Sequence, residues 1–327
     1  MGKLRLGRRT FMSALGAGAL FAVSPRFARA QSGDTLKLAV GQRGNWDTSI
    51  SELGQRAGIF AKHGLKLELL YTQGGGETQQ AVLSGSVDIG VAAGIMGALS
   101  AFSKGAPVRI IGAETTGAAD LFWYARSNSG IDSLADTAGK TIAYSTNGSS
   151  THGVVMAFIR EQGLTATPTA TGGPPSTLTA VMSGQIDVGW SAPPFGIEQL
   201  KRGDIKIIAS GNDAKAFANQ TVRLLITNVR ALETKKPLLE RYMDAYRETI
   251  DWMYSGDEAL ELYAEFVGIS KEVAVQTRDD FFPKEALDPD NIVGLDSIVP
   301  SAVELKYTDA PLTKEQLAEL IRIPPRK

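Results

Sequence analysis

The chain has 327 residues, of which 43% are apolar and 21% are charged, a composition typical of one large globular domain or two ordinary ones. It has no run of about 20 apolar residues and a formal net charge of −1, which argues against a membrane-spanning protein, a disordered chain and a nucleic-acid binder that depends on bulk basic charge. The absence of cysteine excludes disulfides, thiolate metal sites, cysteine nucleophiles and a lipid-modified N-terminal cysteine.

The first 30 residues have the pattern of an export signal. They contain six basic residues and no acidic one, a moderately apolar stretch over 11–23, and an A-x-A cleavage site at 28–30. The segment 7–12, Gly-Arg-Arg-Thr-Phe-Met, resembles the twin-arginine motif. We therefore predict a twin-arginine signal peptide over 1–30 and a periplasmic location. The mature chain, with 28 basic and 35 acidic residues, would have a net charge of −7.

An internal repeat organises the rest of the chain. The decapeptide 81–90 recurs at 180–189, with an offset of 99 residues and six identities. Glycines and threonines outside the decapeptide match at the same offset, among them Thr78 with Thr177. Both copies alternate predicted strands with predicted helices, which is the pattern of parallel α/β units. The repeat therefore predicts two α/β lobes, with a ligand crevice where loops at the carboxyl ends of their strands face each other.

The predicted elements follow the same order in each copy. In the first copy they are a strand at 36–40, a helix from a capping box at Ser49 and Glu52 to Gly64, a strand at 65–70, a helix at 78–83 and a strand at 87–92. In the second copy they are a strand at 141–144, a helix at 154–162, a strand at 165–171, a helix at 176–182 and a strand at 186–191. From Pro237 the pattern predicts a helical tail that packs mainly on the first lobe, with a capping box at Thr313 and Gln316.

One octapeptide carries a resemblance to a known family. Residues 58–65, Gly-Ile-Phe-Ala-Lys-His-Gly-Leu, resemble the "aG-F-x-x-x-GL" signature of the substrate-binding proteins of ABC importers for aliphatic sulfonates, taurine, nitrate and thiamine-precursor pyrimidines. The resemblance extends over 36–225 and includes the three glycines at 74–76. It implies a type 2 periplasmic-binding-protein fold, an α/β fold of two lobes that close over a ligand by hinge motion.

The resemblance also implies the course of the chain between the lobes. Two crossover segments are expected at about 118–126 and 221–228. The first lobe would then comprise 31–120 and 224–327, including the helical tail, and the second lobe 121–223. Most members of the family are not enzymes, and they work with the transmembrane permease of an importer.

In the first lobe, the candidate ligand contacts lie in loops that follow strands. Trp46 could stack on a ligand or be an ordinary core tryptophan, and Asp47 could bind a ligand or cap a helix. Gly76 would let a backbone N–H approach an anion, although a flexible turn explains the glycines equally well. The remaining candidates in this lobe are small or polar residues: Asn45, Ala93, Gly94, Thr115 and Thr116.

In the second lobe, a hydroxyl-rich loop precedes a predicted helix. Such a loop suits a carboxylate or sulfonate, although one of its hydroxyls must serve as the helix N-cap. Its candidate contacts are Asn147, Ser149, Ser150 and Thr151. The other candidates follow the last strand of the repeat and would face the first lobe: Trp190 for stacking, then Ser191 and Phe195.

The predicted function is solute binding without catalysis. The sequence has two histidines at unrelated positions, no cysteine, and no HExxH or GxSxG motif. It therefore lacks the patterns of the common hydrolases and metal sites. We expect a monomer without cofactor, nucleic-acid partner or membrane insertion, which delivers a small organic molecule to the permease of an ABC importer. The alternatives are an enzyme of pyrimidine synthesis on the same fold, or a ligand-sensing partner of a membrane receptor.

The charged residues of the cleft loops suit two kinds of ligand. The only basic residues of the cleft loops are Arg43 and His152, so a sulfonate or carboxylate, which is slightly favoured, would be held mainly by N–H and hydroxyl groups. Acidic residues in the same loops could instead favour a neutral or amine-bearing heterocycle: Asp47, Glu77, Glu114 and Asp120.

Overall fold

The computed structural model describes residues 34–326, so the predicted signal peptide lies outside the described residues. The strands are β1 (Asp34–Gly41), β2 (Leu65–Thr72), β3 (Ile89–Gly94), β4 (Val108–Thr116), β5 (Phe122–Arg126), β6 (Thr141–Tyr144), β7 (Thr167–Ala170), β8 (Val188–Ser191), β9 (Ile205–Ser210) and β10 (Thr221–Asn228). The helices are α1 (Ile50–Arg56), α2 (Ile59–Lys62), α3 (Gly75–Leu83), α4 (Ile95–Ser103), α5 (Ser150–Gln162), α6 (Pro174–Met182), α7 (Ile197–Arg202), α8 (Val229–Thr234), α9 (Lys236–Met253), α10 (Glu258–Val267), α11 (Lys271–Phe281), α12 (Leu295–Glu304) and α13 (Lys314–Leu320). Short 3₁₀ helices lie at Asp47–Ser49, Leu134–Thr137, Gly211–Asp213 and Lys284–Leu287.

The strands form two five-stranded sheets with the same internal order, β2-β1-β3-β10-β4 and β7-β6-β8-β5-β9. We call the part of the chain built on the first sheet lobe I and the part built on the second sheet lobe II. In each sheet the first three strands are parallel, and the fourth, β10 or β5, is antiparallel to its neighbours. The two α/β units predicted from the repeat are therefore present.

The chain crosses between the two sheets twice. It leaves lobe I between Thr116 and Phe122, and it returns between Ser210 and Thr221. The return comes before 221–228, the segment that the family resemblance implied, because those residues pair along their length with β3 and β4. After the first crossing β5 joins the sheet of lobe II, and after the second crossing β10 joins the sheet of lobe I.

The repeat is also visible in hydrogen bonds around the turns that precede α3 and α6. Thr72 Oγ1 is 2.8 Å from Thr78 Oγ1 in lobe I. Thr171 Oγ1 is 2.6 Å from Thr177 Oγ1 in lobe II, at the same offset of 99 residues. Each pair ties the end of a strand to the first turns of the following helix, so these repeated threonines have a structural role.

The repeated aspartates have a structural role as well. Asp88 Oδ2 accepts the backbone N–H of Lys37 on β1 at 2.9 Å and also pairs with Lys235 Nζ at 2.8 Å. Asp187 Oδ2 accepts the backbone N–H of Thr141 on β6 at 2.9 Å. In both lobes the carboxylate therefore satisfies a backbone donor on the strand that begins the α/β unit.

One predicted helix is different in the structure. The segment expected to run from Ser49 to Gly64 is divided into α1 and α2, because Gly58 adopts a left-handed conformation with φ of 77°. Ser49 makes no capping hydrogen bond, and its Oγ instead donates to the Asn45 carbonyl oxygen at 2.6 Å. The predicted capping box at the start of this helix is therefore wrong.

The helical tail packs mainly on lobe I, as expected. Helix α9 lies against α1, α2 and β2, and α13 lies against β4. The capping box at Thr313 and Gln316 is confirmed. The tail also reaches lobe II, where Arg160 on α5 donates to the Glu304 carbonyl oxygen at 2.6 Å. The end of α12 therefore adds a non-covalent connection between the lobes.

The structural role of the repeated aspartates can be tested at Asp187, which is half-buried. Replacing it with alanine removes the acceptor of both the Thr141 N–H and the Thr141 hydroxyl, which lies at 3.0 Å. We expect the free energy of unfolding, measured in urea, to fall by about 1–3 kcal/mol. Asp132 is the control: its side chain is 75% exposed. Asp132→Ala should cost less than about 1 kcal/mol. Equal losses in the two variants would contradict the assigned role.

Candidate ligand-binding cleft

A small cavity of about 30 Å³ lies between the lobes, at the carboxyl ends of their parallel strands. Its volume suits one or two water molecules. Any organic molecule bound here would therefore require the lobes to separate further than they do in this structure. Six of the predicted site residues line the cavity: Asn45, Asp47, Ser149, Ser150, Thr151 and Trp190.

The lobe II wall of the cavity is the start of helix α5. Ser149 is the N-cap, and its Oγ accepts the His152 N–H at 3.2 Å. The hydroxyls of Ser145 and Thr151 are 2.9 Å apart, and Ser150 is the first residue of the helix. These residues place hydroxyls and unpaired helical N–H groups at the cavity, as the sequence pattern suggested.

A second helix begins on the lobe I side of the cavity. Helix α3 starts at Gly75, which lines the cavity. The next residue, Gly76, donates its N–H across the cleft to Thr146 Oγ1 at 3.0 Å. Helices α3 and α5 have 9 and 13 residues, so each has a substantial dipole with its positive end at the cleft. Two positive helix ends from opposite lobes thus converge on one cavity.

Trp46, in contrast, is not on the cavity wall. It is fully buried, its Nε1 donates to the Tyr254 hydroxyl at 3.0 Å, and its ring lies edge-on to Tyr263 at 4.9 Å. Both tyrosines belong to the tail, which covers the loop after β1. The structure therefore corrects the stacking hypothesis for Trp46 in favour of the alternative, a core tryptophan.

Other predicted residues support the walls instead of lining them. Ala93 is buried within β3. The hydroxyls of Thr116 and Thr221 are 3.2 Å apart on neighbouring strands. Ser191 Oγ donates to the Phe195 carbonyl oxygen at 3.0 Å, which shapes the turn after β8. These residues are near the cleft, but their side chains are buried in their own lobe or form hydrogen bonds within it.

Part of the contact between the lobes is glycine against backbone. A Cβ atom placed on Gly76 would be 2.0 Å from the Asn147 carbonyl oxygen. On Gly94 or Gly97 it would be 2.5 Å or 2.4 Å from the Gly148 carbonyl oxygen. Three glycines of lobe I therefore allow the loop before α5 to approach closely, and closure of the cleft to this extent requires them.

The lobe I wall contains a buried group of charges centred on Arg223. Its Nε is 3.1 Å from Asp47 Oδ2 and 3.2 Å from Glu114 Oε2, and its Nη2 is 2.9 Å from Asp120 Oδ2. Thr115 Oγ1 donates to Glu114 Oε2 at 2.8 Å. All four charged side chains are at most 6% exposed. Arg223 and Asp47 line the cavity, so this group, which we call the Arg223 cluster, is part of its wall.

The carboxyl groups of the cluster outnumber its cation. Burial, reinforced by the neighbouring Asp47 carboxylate, raises the pKa of Glu114 well above its ordinary value. Burial also raises the pKa of Asp120, although Arg223 opposes that change. Conversely, the three carboxyl groups raise the pKa of Arg223 despite its burial. A proton on Glu114 therefore relieves part of the repulsion between carboxylates.

Arg223 is the main site residue that sequence reasoning missed. The two predicted bases serve elsewhere: Arg43 donates to the Phe266 carbonyl oxygen at 2.8 Å, and His152 Nδ1 is 2.7 Å from the Tyr307 hydroxyl. Arg223 reaches the cavity because β10 returns to lobe I beside β3 and β4. No local pattern marks it, since it sits within an otherwise ordinary strand. The other unpredicted lining residues are Gly41, Gln42, Thr48, Gly75, Ala92, Leu121 and Ser145.

Two of those lining residues have strained backbone conformations. Gln42 has φ of 72° and Ala92 has φ of 63°, in a region that non-glycine residues seldom adopt. Such strain is often found at binding sites, where the surrounding structure holds it. Its presence on this wall supports the cavity as the functional site.

Within residues 34–326, no group of three or more histidine, aspartate or glutamate side chains is placed to hold a metal ion. No helix in the same range is long and apolar enough to cross a membrane.

Comparison with solved structures identifies the fold. The chain superimposes on the alkanesulfonate-binding protein SsuA from Xanthomonas axonopodis pv. citri with a TM-score of 0.73 and 18% identity, over 89% of this chain and 99% of that one. It superimposes on the nitrate-binding protein NrtA from Synechocystis PCC 6803 with a TM-score of 0.68 and 13% identity, over 89% and 86%. The desulfurization enzyme DSZB gives a TM-score of 0.60 and 15% identity, over 89% and 96%.

The fold is therefore that of the two-lobed periplasmic binding proteins of the sulfonate- and nitrate-binding import type. The model of the NMT1/THI5-like family matches residues 52–259, and the chain belongs to that family. No curated protein is similar enough in sequence to match.

The glycine contacts predict that Gly76→Ala opposes closure. The alanine Cβ would collide with the Asn147 carbonyl oxygen when the lobes close. The free energy of unfolding should stay the same or rise by up to about 1 kcal/mol, because alanine has a higher helix propensity than glycine. The cysteine-free chain allows one spin label in each lobe, at exposed Lys66 and Lys201. The distance between the two labels measured in the parent protein should shift in Gly76→Ala, because its lobes cannot close to the same extent. It should persist in Gly256→Ala, whose Cβ would meet nothing within 4 Å. An unchanged distance in Gly76→Ala would contradict the role of Gly76.

The raised pKa of Glu114 predicts a dependence of stability on pH. Above the ordinary pKa of 4.5, the folded protein keeps this proton while the unfolded chain releases it, so the free energy of unfolding falls as pH rises. Glu114→Gln removes the effect. The free energy of unfolding of the parent minus that of the variant should therefore decline by up to about 1.4 kcal/mol per pH unit above pH 4.5. Urea unfolding between about pH 5 and 7 measures this decline, and parallel curves for the two proteins would refute it.

Proposed function

We propose that this protein is a periplasmic solute-binding protein of an ABC importer. It would capture a small organic molecule that bears a sulfonate or carboxylate group, close its two lobes over that molecule, and deliver it to the permease as a monomer. The observation that carries the proposal is the convergence of the α3 and α5 N-termini, from opposite lobes, on one interlobe cavity. Membership of the NMT1/THI5-like family and the fold support it.

The hydroxyls of lobe II supply additional donors for an anion. In this structure they bond to one another: Thr151 Oγ1 is 2.9 Å from Ser145 Oγ and 3.0 Å from Ser149 Oγ. A hydroxyl rotates freely about its C–O bond, so each can redirect its proton to a ligand oxygen. An anion would thus be held by neutral donors and helix dipoles, without a dedicated basic side chain.

Closure would couple binding to delivery. The lobes are joined covalently by the two crossings, and part of their contact is glycine against backbone. A ligand that bridges the α3 and α5 N-termini would stabilise the closed arrangement by binding it more tightly than the open one. The permease would then recognise the closed form.

The proposal assigns no catalytic role to the cleft. DSZB shows that an enzyme can have this fold, and its similarity to this chain is limited to that fold. The titratable side chains that line the cavity, Asp47 and Arg223, pair with each other, and the sequence offers no cysteine nucleophile. Binding and release therefore account for the site better than a reaction.

The anion site can be tested by thermal unfolding with methanesulfonate, ethanesulfonate, acetate, propanoate and benzoate. A ligand present at a hundredfold excess over its Kd adds about 2.7 kcal/mol of stability, so a true ligand should raise the melting temperature clearly. Ser150→Ala removes a hydroxyl at the cavity and should weaken the best binder by roughly threefold to tenfold. Ser297→Ala, on the exposed surface of α12, should leave the affinity unchanged.

Two outcomes would contradict the proposed function. If none of the sulfonates or carboxylates raises the melting temperature, the anion site is wrong. If the bound molecule is converted to a product, as followed by NMR, the protein is an enzyme. Trp190→Ala is a poor probe of the same site, because Trp190 is 2% exposed and its loss would cost about 3–5 kcal/mol of stability.

A further inference from the structure

His152 lies where lobe II meets the helical tail, and one of its ring nitrogens is close to two hydrogen-bond donors. The backbone N–H of Gly148, in the loop before α5, donates to His152 Nδ1 at 3.2 Å. The Tyr307 hydroxyl, from the segment after α12, is 2.7 Å from the same nitrogen. A backbone N–H can only donate, so Nδ1 is unprotonated and the hydroxyl donates to it as well. The imidazole is therefore neutral, with its proton on Nε2.

Gly148 connects this hydrogen bond to the contact between the lobes. Its carbonyl oxygen is the atom that Gly94 and Gly97 of lobe I approach, where an added Cβ would be 2.5 Å and 2.4 Å away. Gly148 has φ of 82°, a left-handed conformation that glycine adopts without strain. Tyr307 reaches His152 from the tail, whose helix α12 packs against α4 of lobe I. The neutral imidazole thus joins three parts of the closed arrangement: the loop before α5, α5 itself and the tail.

Protonation of His152 would leave two donors without an acceptor. A proton on Nδ1 turns this nitrogen into a donor, so that it and the Gly148 N–H would face each other. The Tyr307 hydroxyl could accept the new N–H, but its own proton would then lose its acceptor, and the hydroxyl has no other hydrogen-bond partner among the described residues. Tyr307 is only 9% exposed, so water compensates this loss poorly. The closed arrangement therefore disfavours the charged imidazole.

The surroundings of the ring supply no charge that would stabilise an imidazolium. Its aromatic neighbours are Tyr144 on β6, with ring centres 4.5 Å apart, and Tyr307, with ring centres 5.7 Å apart. The elements β3, β6, β7 and α4 pack against α5 and contain no acidic or basic residue. Burial lowers the pKa of His152 below its ordinary value of 6.5. The charged residues of the adjacent 3₁₀ helix, of α5 and of the segment around Tyr307 are bonded elsewhere or exposed: Asp213, Arg160, Glu161, Glu304, Lys306 and Asp309.

We propose that His152, with Gly148 and Tyr307, forms a proton-sensitive latch that holds the lobes closed. The neutral imidazole keeps the loop before α5 in the conformation that fits against Gly94 and Gly97. The protonated imidazole releases both that loop and the tail. Because the closed form binds this proton more weakly than the open form, acid shifts the population towards open molecules. The lobes open as the pH falls from about 7 to about 5, the range in which histidine changes its charge.

The hydrogen bond itself is tested by NMR of the purified protein without added ligand. The chain has only two histidines, so His63→Asn leaves His152 as the single imidazole. Nitrogen-15 shifts should place the ring proton on Nε2 at neutral pH, and the ring should titrate below pH 6.5. The amide signal of Gly148 should change with the same midpoint. A ring proton on Nδ1 at neutral pH, or a Gly148 signal that does not change during the titration, would overturn the latch.

The opening of the lobes is tested with the spin labels at Lys66 and Lys201, compared at about pH 7.5 and about pH 5. The ratio of closed to open molecules should fall by about threefold or more at the lower pH, which corresponds to a difference of half a pKa unit between the two forms. In His152→Asn the ratio should stay the same, because the amide oxygen can accept the Gly148 N–H and takes up no proton. A parent ratio that does not change with pH would overturn the latch.

Two control variants separate the latch from the other titratable groups. His63 pairs with Glu248 at 2.8 Å, away from the cleft, so His63→Asn should respond to pH as the parent does. Glu114 in the Arg223 cluster is the competing group, since its pKa is raised. A response that is kept in His152→Asn and lost in Glu114→Gln would assign the switch to that cluster and overturn the latch. Because no ligand is added, these outcomes leave the proposed function unaffected.

Discussion

The buried guanidinium of Arg223 is the interaction on which the cleft depends. It joins Asp47 from the loop after β1, Glu114 from the end of β4, and Asp120 from the first crossing, while Arg223 itself follows the second crossing. A buried charge without partners is very costly, so these four segments must stay together. The lobe I wall is consequently a rigid surface, against which the hydroxyl-bearing loop of lobe II closes.

The repeat shows how two similar lobes came to have different walls. Positions that hold the scaffold are the same in both: the threonine pairs and the aspartates that accept a strand N–H. Positions at the cleft differ. At the offset of 99 residues, Asp47 corresponds to Thr146, and Gly75-Gly76 correspond to Pro174-Pro175. Prolines have no N–H, so α6 cannot offer the donors that α3 offers. The duplicated architecture therefore carries an asymmetric site.

The contact between the lobes is suited to opening and closing. At Gly76, Gly94 and Gly97 it brings glycine directly against backbone, so lobe I contributes no side chain at these three points when the lobes separate. The His152–Tyr307 and Arg160–Glu304 contacts lie at the margin of this surface, where the end of α12 meets α5. A hinge motion of the lobes would therefore break and re-form these contacts next to the Arg223 cluster.

Periodicity, turns and the 99-residue repeat were enough to predict the two α/β lobes, because these patterns in the sequence report on backbone elements. The sequence also identified the loops of the cavity, including Asn45, Asp47 and the start of α5. Which side chains face the cavity depends instead on how distant parts of the chain pack together. Trp46 is covered by tail residues about 200 positions away, and Arg223 arrives on a strand that returns from the other lobe. The environment of a side chain is set by residues distant in the chain, and no local pattern encodes it.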